Sequence, residues 1–122
     1  MKFLCLGFYD EAKFDALGPA DLEKLGEDCR QHDGVLHRTG KVLAVASLEH
    51  RRARTVRSRK GRPAITDGPF VEAKEMIGSF FLIEAADLDE AVRIASLHPA
   101  AQMGEELGWA IEVRPIETYE TM

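Results

Sequence analysis

The sequence predicts an α+β fold in which two helices cover one face of a four-stranded antiparallel sheet, and three observations carry that prediction. Apolar patterns follow one another in the order strand, helix, strand, small hairpin, strand, helix, strand. The connections between them are short, which with right-handed crossovers gives a split βαβ unit repeated, the ferredoxin-like βαββαβ sandwich with an extra small β-hairpin. Three of the four main strands are apolar on both faces, so the sheet has to be covered twice although the chain supplies helices for only one side.

The chain of 122 residues, 45% of them hydrophobic, falls in the usual range for a single domain spanning 1–122 that buries a core without disulfides or metal. Cys5 and Cys29 are too few for a disulfide scaffold and sit in apolar patterns, so both are read as reduced, buried thiols of a cytoplasmic protein. The apolar run Phe3 to Phe8 is too short for a secretion signal, and no run approaches the roughly 20 residues of a membrane span. A soluble chain with no membrane partner is expected. The net charge of −5 argues against a nucleic-acid binder, but seven of the 16 basic residues lie between positions 51 and 62, where there is no acid.

Lys2 to Tyr9 reads as a central strand, with Leu4, Leu6 and Phe8 alternating against Phe3, Cys5, Gly7 and Tyr9. Pro19 opens a helix from Ala20 to about Arg38, whose Leu22, Leu25, Cys29, His32 and Leu36 recur at spacings of three and four. Its early acids and its late His37 and Arg38 suit the macrodipole, Gly40 closes it, and Gly34 marks a place for a kink. Val42 to Leu48 is the second strand. Thr55–Ser58 and Pro63–Thr66 form the hairpin, whose polar composition predicts a sheet edge.

Glu75 to Ala85 gives the strongest strand pattern, with Ile77, Phe81 and Ile83 on one face and Met76, Phe80 and Leu82 on the other. Gly78 inside it predicts a close backbone approach. Asp87-Leu88-Asp89-Glu90 is a capping box that opens a helix running to Leu97, and His98-Pro99 ends it, His98 serving equally well as an acid–base group or as a C-cap. Ala100 to Gly108 is a linker. Trp109 to Glu117 is the last strand, Trp109, Ile111 and Val113 facing away from Ala110, Glu112 and Arg114.

The uncovered face predicts a homodimer. Six to eight large side chains at roughly 1.5 to 3 kcal/mol each exceed what a monomer leaves in water, and a second copy packed sheet on sheet about a two-fold axis is the simplest cover.

The polar segment Thr66-Asp67-Gly68-Pro69-Phe70-Val71-Glu72-Ala73-Lys74-Glu75, followed by Asp87-Leu88-Asp89-Glu90-Ala91, His98-Pro99 and Ile111-Glu112-Val113-Arg114-Pro115-Ile116, resembles the YCII-related family, in particular its DGPF branch. The likeness runs from the first strand to about residue 117. It implies a dimeric α+β barrel of ferredoxin-like protomers, small-molecule enzymes as one functional class, and an association of DGPF proteins with extracytoplasmic-function sigma factors as another. Relatives pair a helical histidine with an aspartate near this motif. Here Cys29 stands nearest that helical place, with His32 one turn later, which departs from the pattern.

The residue types allow limited chemistry. Asp67 precedes Gly68-Pro69 at the entry to the strongest strand, where it either shapes its own turn or serves a barrel pocket as general base or polar anchor. Glu75 or Glu112 would support it, and Tyr9, Phe70 and Phe80 would line the apolar wall. His32 is either an acid–base group or a buried structural histidine; His37 and His50 read as exposed. Glu112 and Arg114 share a strand face, either as polar groups within the pocket or as an exposed ion pair. No two histidines have metal-ligand spacing and no Cys-Cys or Glu-His pair does, so no metal or cofactor is expected. The basic hairpin reads as a solvated edge, as a docking site for an anionic ligand or acidic protein, or as a nucleic-acid contact, the last disfavoured because no aromatics interleave the charges. Two functions follow: a small-molecule site in the dimer's barrel, as in an isomerase, hydrolase or cofactor-independent oxygenase, or a non-catalytic ligand-sensing regulator.

Overall fold

The structure, a computed structural model, describes residues 1–49 and 51–122; the expectation that His50 is exposed falls outside the described residues. Four strands form one antiparallel sheet: β1 (Lys2–Asp10), β2 (Val42–Ser47), β5 (Glu75–Glu84) and β6 (Ala110–Pro115), in the spatial order β2-β5-β1-β6. That order is the ferredoxin-like one. Helices α2 (Pro19–His37) and α3 (Leu88–Ala95) are its two crossovers, with short helices α1 (Glu11–Asp15) and α4 (Pro99–Gln102) and a 3₁₀ turn at Glu105–Leu107 added.

Both long helices begin where the residues dictate. Pro19 stands in the first turn of α2, where its missing N–H costs nothing, and the Asp21 carboxylate accepts from the Gly18 N–H at 3.3 Å. Asp87 caps α3 by accepting from the Glu90 N–H at 2.8 Å, but Glu90 accepts from the N–H of Ala86 at 3.3 Å and not from that of Asp87, so only half of the predicted box forms. α2 is not terminated at Gly34 and continues through it to His37.

Several expectations are corrected. The break after Asp10 is α1, capped by Asp10, whose carboxylate accepts from the Lys13 N–H at 3.2 Å and lies 3.9 Å from the Lys74 ammonium. The presumed linker after residue 98 is mostly helical turns. His98 is not a C-cap: it is the N-cap of α4, its Nδ1 accepting from the Ala100 N–H at 3.0 Å. The hairpin is not an edge of the main sheet, because β3 (Arg54–Arg59) and β4 (Arg62–Asp67) form a separate two-stranded ribbon. Lys60 and Gly61 at its tip both have positive φ, 51° and 76°, as the tight primed turn of a hairpin requires.

A register shift in β5 moves Ile77 to the other face. Gly7 pairs with Ser79 but Phe8 pairs with Ile77, so Gly78 is an extra residue in the ladder. Directly opposed residues share a face. Hence Ile77 lies with Phe8, on the side of Leu4, Leu6, Phe80 and Leu82, while Phe81 and Ile83 stay with Phe3 and Cys5 under the helices.

The core occupies only one half of the helix-covered face. Phe3, Cys5, Phe81 and Ile83 pack there with Leu36 of α2 and Ala91, Ile94 and Ala95 of α3. Leu36 is the one buried residue of α2, whose stripe residues Leu25, Cys29 and His32 are only half-buried and whose Leu22 is exposed. Its C-terminal turn is anchored and the rest rides above the sheet. The opposite face carries Leu4, Leu6, Phe8, Phe80 and Leu82, all half-buried, with Ile77 exposed and, among the described residues, no helix over them.

Candidate functional site

Where α2 stands off the sheet there is a cavity of about 510 Å³. The residue sizes explain it. At this end of the sheet the helix-facing positions of the two central strands are Gly7 and its partner Ser79, with Gly78 beside them, in place of the Phe81 and Ile83 that fill the other half. The missing side chains leave volume that neither helix enters.

Aromatic rings form much of the wall. Tyr9 meets Phe14 of α1 edge to face, with centroids 5.9 Å apart and planes at 82°. Phe81, Trp109 and the imidazole of His98 complete it. The Tyr9 ring lies over the bare backbone of Gly78, where a Cβ would come within 2.7 Å of it. Trp109 lies over Gly104, whose φ of 78° and whose contact with the indole both require glycine.

The polar groups gather on the helix side: Cys29, Asp33 and His37 from α2 and His98 at the start of α4, with Ser47 and Ser79 on the strands. Because His98 Nδ1 accepts the Ala100 N–H, the neutral ring carries its proton on Nε2. Burial pushes the His98 pKa down, with His37 adding to that and Asp33 opposing it, so the neutral form is favoured. Burial pushes the Cys29 thiol up, and Asp33 and Asp28 push it further, so it is held protonated. The Tyr9 phenol is raised likewise, by burial and then by Glu11 and Asp15. The site therefore presents O–H, S–H and N–H donors and one carboxylate to an otherwise apolar space.

The predicted site residues divide. Tyr9 and Phe80 border the cavity, Phe80 from the sheet floor, since by register its ring belongs to the open face. Asp67 does not come to it: its carboxylate is 93% exposed at the end of β4 and lies 3.4 Å from the Arg54 guanidinium. Gly68, with φ of 92°, turns the chain there, its N–H bonded to the Ala53 carbonyl. Pro69 follows in a trans peptide and Phe70 stands in solvent beneath Arg57. Glu75 is exposed opposite Asp10, and His32 is half-buried outside the cavity. Glu112 and Arg114 oppose Leu6 and Leu4, so both lie on the open sheet face, 3.8 Å from one another.

Sequence reasoning passed over Cys29, Asp33 and His98 as neighbours in one site. The signal was the small pair Gly7 and Gly78-Ser79 in the middle of otherwise bulky strands, which marks missing volume under whatever helix crosses there. The residues that line this cavity all belong to one chain.

The topology, with a cavity between the first long helix and the sheet, is that of a ferredoxin-like α+β domain. The chain belongs to the YCII-related domain family, whose model matches residues 1–117. It is 31% identical over 121 residues to an uncharacterized protein of Rhizobium meliloti (strain 1021), covering 98% of this chain and 95% of the other. Among solved structures it is similar to 5-chloro-2-hydroxyhydroquinone dehydrochlorinase of Burkholderia phenoliruptrix, determined with 2,5-dihydroxybenzoquinone, at 19% identity and a TM-score of 0.49, covering 96% of this chain and 94% of that one. Among the described residues no helix is long and apolar enough to cross a membrane.

Proposed function

We propose that the protein binds a small, largely apolar molecule with one polar edge in the cavity between α2 and the sheet. The observation that carries this reading is the composition of the cavity: an aromatic wall of Tyr9, Phe14, Phe81 and Trp109 facing a compact polar group of Cys29, Asp33 and His98. An apolar pocket with a few convergent polar atoms is the usual form of a small-molecule site. His98, neutral and donating from Nε2, suits a carbonyl or phenolic oxygen, and the Asp33 carboxylate suits a hydroxyl. As a catalyst the site would use the Asp33 carboxylate as general base, with the His98 Nε2–H donating a hydrogen bond to the substrate oxygen on which charge develops.

The rival reading, a ligand-sensing regulator of the kind the DGPF motif associates with sigma factors, is favoured by one observation. Burial and neighbouring carboxylates hold the Cys29 thiol protonated, the reverse of an activated nucleophile. A thermal-shift screen of small phenols, hydroxylated ring acids and quinones identifies ligands. Turnover of a stabilising ligand whose kcat, measured at saturating ligand, falls at least tenfold in Asp33→Asn marks an enzyme; binding without turnover marks a sensor. No ligand stabilising the wild type more than it stabilises a cavity-filling variant would contradict both.

The assembled form proposed is a cytoplasmic homodimer in which the two open sheet faces meet about a two-fold axis. Leu4, Leu6, Phe8, Phe80 and Leu82 support it, being half-buried on a face with no helix over it. Asp67 and its loop enter this reading only as groups exposed in one chain that a second copy would approach.

A further inference from the structure

The ribbon of β3 and β4 is built as an arm. Among the described residues it shares no ladder with the main sheet, and its strands make their principal contacts with each other. A two-stranded ribbon in water is marginal by itself and gains stability by packing on something.

Its register shows what it has to pack. Val56 and Ile65 are directly opposed, so their side chains share one face, and they are 63% and 66% exposed. Phe70 and Val71, just beyond β4, are 68% and 66% exposed. Four large apolar side chains this bare on so short a segment are more than the scattered singles of an ordinary surface.

The charge of the arm indicates its occupant. Residues 51–62 carry seven basic side chains and no acid, which leaves nine basic against 21 acidic residues for the rest of the chain. Arg51, Arg52 and Arg54 at the base are engaged by Asp15, Glu49 and Asp67. Arg57, Arg59, Lys60 and Arg62 toward the tip have no carboxylate within 4.0 Å among the described residues. In a two-fold pair each basic arm faces a body of opposite charge twice over, and the exposed Asp21, Glu23 and Glu27 on the first turns of α2 are carboxylates such an arm can meet.

We infer that the β3–β4 ribbon is an exchanged arm, laying Val56 and Ile65 and its tip cations on the acidic surface of a second copy of this chain. The inference rests on the dimer reading above. It adds that the dimer is clasped by the arms as well as by the sheets, and that salt weakens it.

The test uses the full chain. Isotope-labelled and unlabelled protein are mixed, treated with a carbodiimide that joins lysine to carboxylate, and the joined peptides identified by mass. Dissociation is followed in parallel by analytical ultracentrifugation for the wild type, Val56→Ser/Ile65→Ser and Arg57→Glu/Arg59→Glu. The arm predicts Lys60 joined to a carboxylate of the other isotope, and a dimer Kd raised about tenfold or more in both variants, as loss of two apolar contacts or reversal of two charges implies. A dimer with unchanged dissociation and Lys60 joined only within its own chain overturns the arm and leaves the sheet-on-sheet dimer standing. A wild type that is monomeric at micromolar concentration overturns both. Variants that dimerise normally but lose binding to a fluorescent oligonucleotide overturn the arm in favour of a nucleic-acid contact.

Discussion

The imidazole of His98 lies flat on the ring of Phe81, with centroids 4.8 Å apart and planes within 3° of parallel. Phe81 is buried in the core on one side and borders the cavity on the other, so this stack is where the packed half of the domain meets the open half. It keeps the imidazole in an apolar setting while Nδ1 is occupied by the Ala100 N–H.

That setting gives a pH dependence with a definite sign. Burial lowers the folded-state pKa of His98 below its ordinary value of 6.5, so the unfolded chain takes up the proton first as pH falls. The contribution of neutral His98 to stability is complete above pH 6.5 and is lost as pH drops from there through the folded value. His98→Asn keeps a good N-cap for α4 and removes the titration. Urea unfolding between pH 7.5 and 5 is expected to show a stability decline in the wild type that is smaller in the variant; parallel curves would contradict the assignment.

The two thiols differ in access and not only in pKa. Cys5 is fully buried under the helices and pushed up to about 12, whereas Cys29 is also raised but borders the cavity. Iodoacetamide at pH 8 is expected to modify Cys29 at least tenfold faster than Cys5 in the folded protein, since Cys29 borders the cavity and Cys5 is closed off under the helices. A bound cavity ligand is expected to slow Cys29 alone. Peptide mass mapping of the modified protein checks both.

Gly78 sets the width of the cavity. A Cβ there would lie 2.7 Å from the Tyr9 ring, so Gly78→Ala drives the phenol into the open volume. Because the ring has somewhere to go, the cost to folding is expected to be modest, about 1 to 3 kcal/mol, with ligand affinity falling at least tenfold. Thermal unfolding and a binding titration on the same sample separate the two effects.

Asp87 holds the start of α3 through a 2.8 Å bond to the Glu90 N–H. Asp87→Ala is expected to cost about 1 kcal/mol, with Asp87→Asn restoring most of it, as measured by urea denaturation.

The fold was legible because its signals are local. Asp87 and Glu90 announce a helix start, Pro19 another, and the double-sided apolarity of β1 and β5 announces a sheet needing two covers. The site was less legible because it is defined by absent volume. Gly7 and Ser79 come from strands separated by more than half the chain, and only the ladder makes them neighbours beneath Cys29 and Asp33. The one-residue shift at Gly78 also could not be read from alternation, which assigned Ile77 to the wrong face. Asp67-Gly68-Pro69-Phe70 was the most conspicuous stretch of the sequence, yet in the single chain it ends the arm away from the cavity.

Trp109 is the single tryptophan of the sequence and borders the cavity, so its fluorescence tests the central claim directly. Titration with a ligand found by thermal shift is expected to change that emission saturably, with the midpoint moved at least tenfold in Gly78→Ala and in Asp33→Asn. A ligand that stabilises the protein while leaving Trp109 emission unchanged, or that binds both variants as tightly as the wild type, would place the site elsewhere and contradict the account.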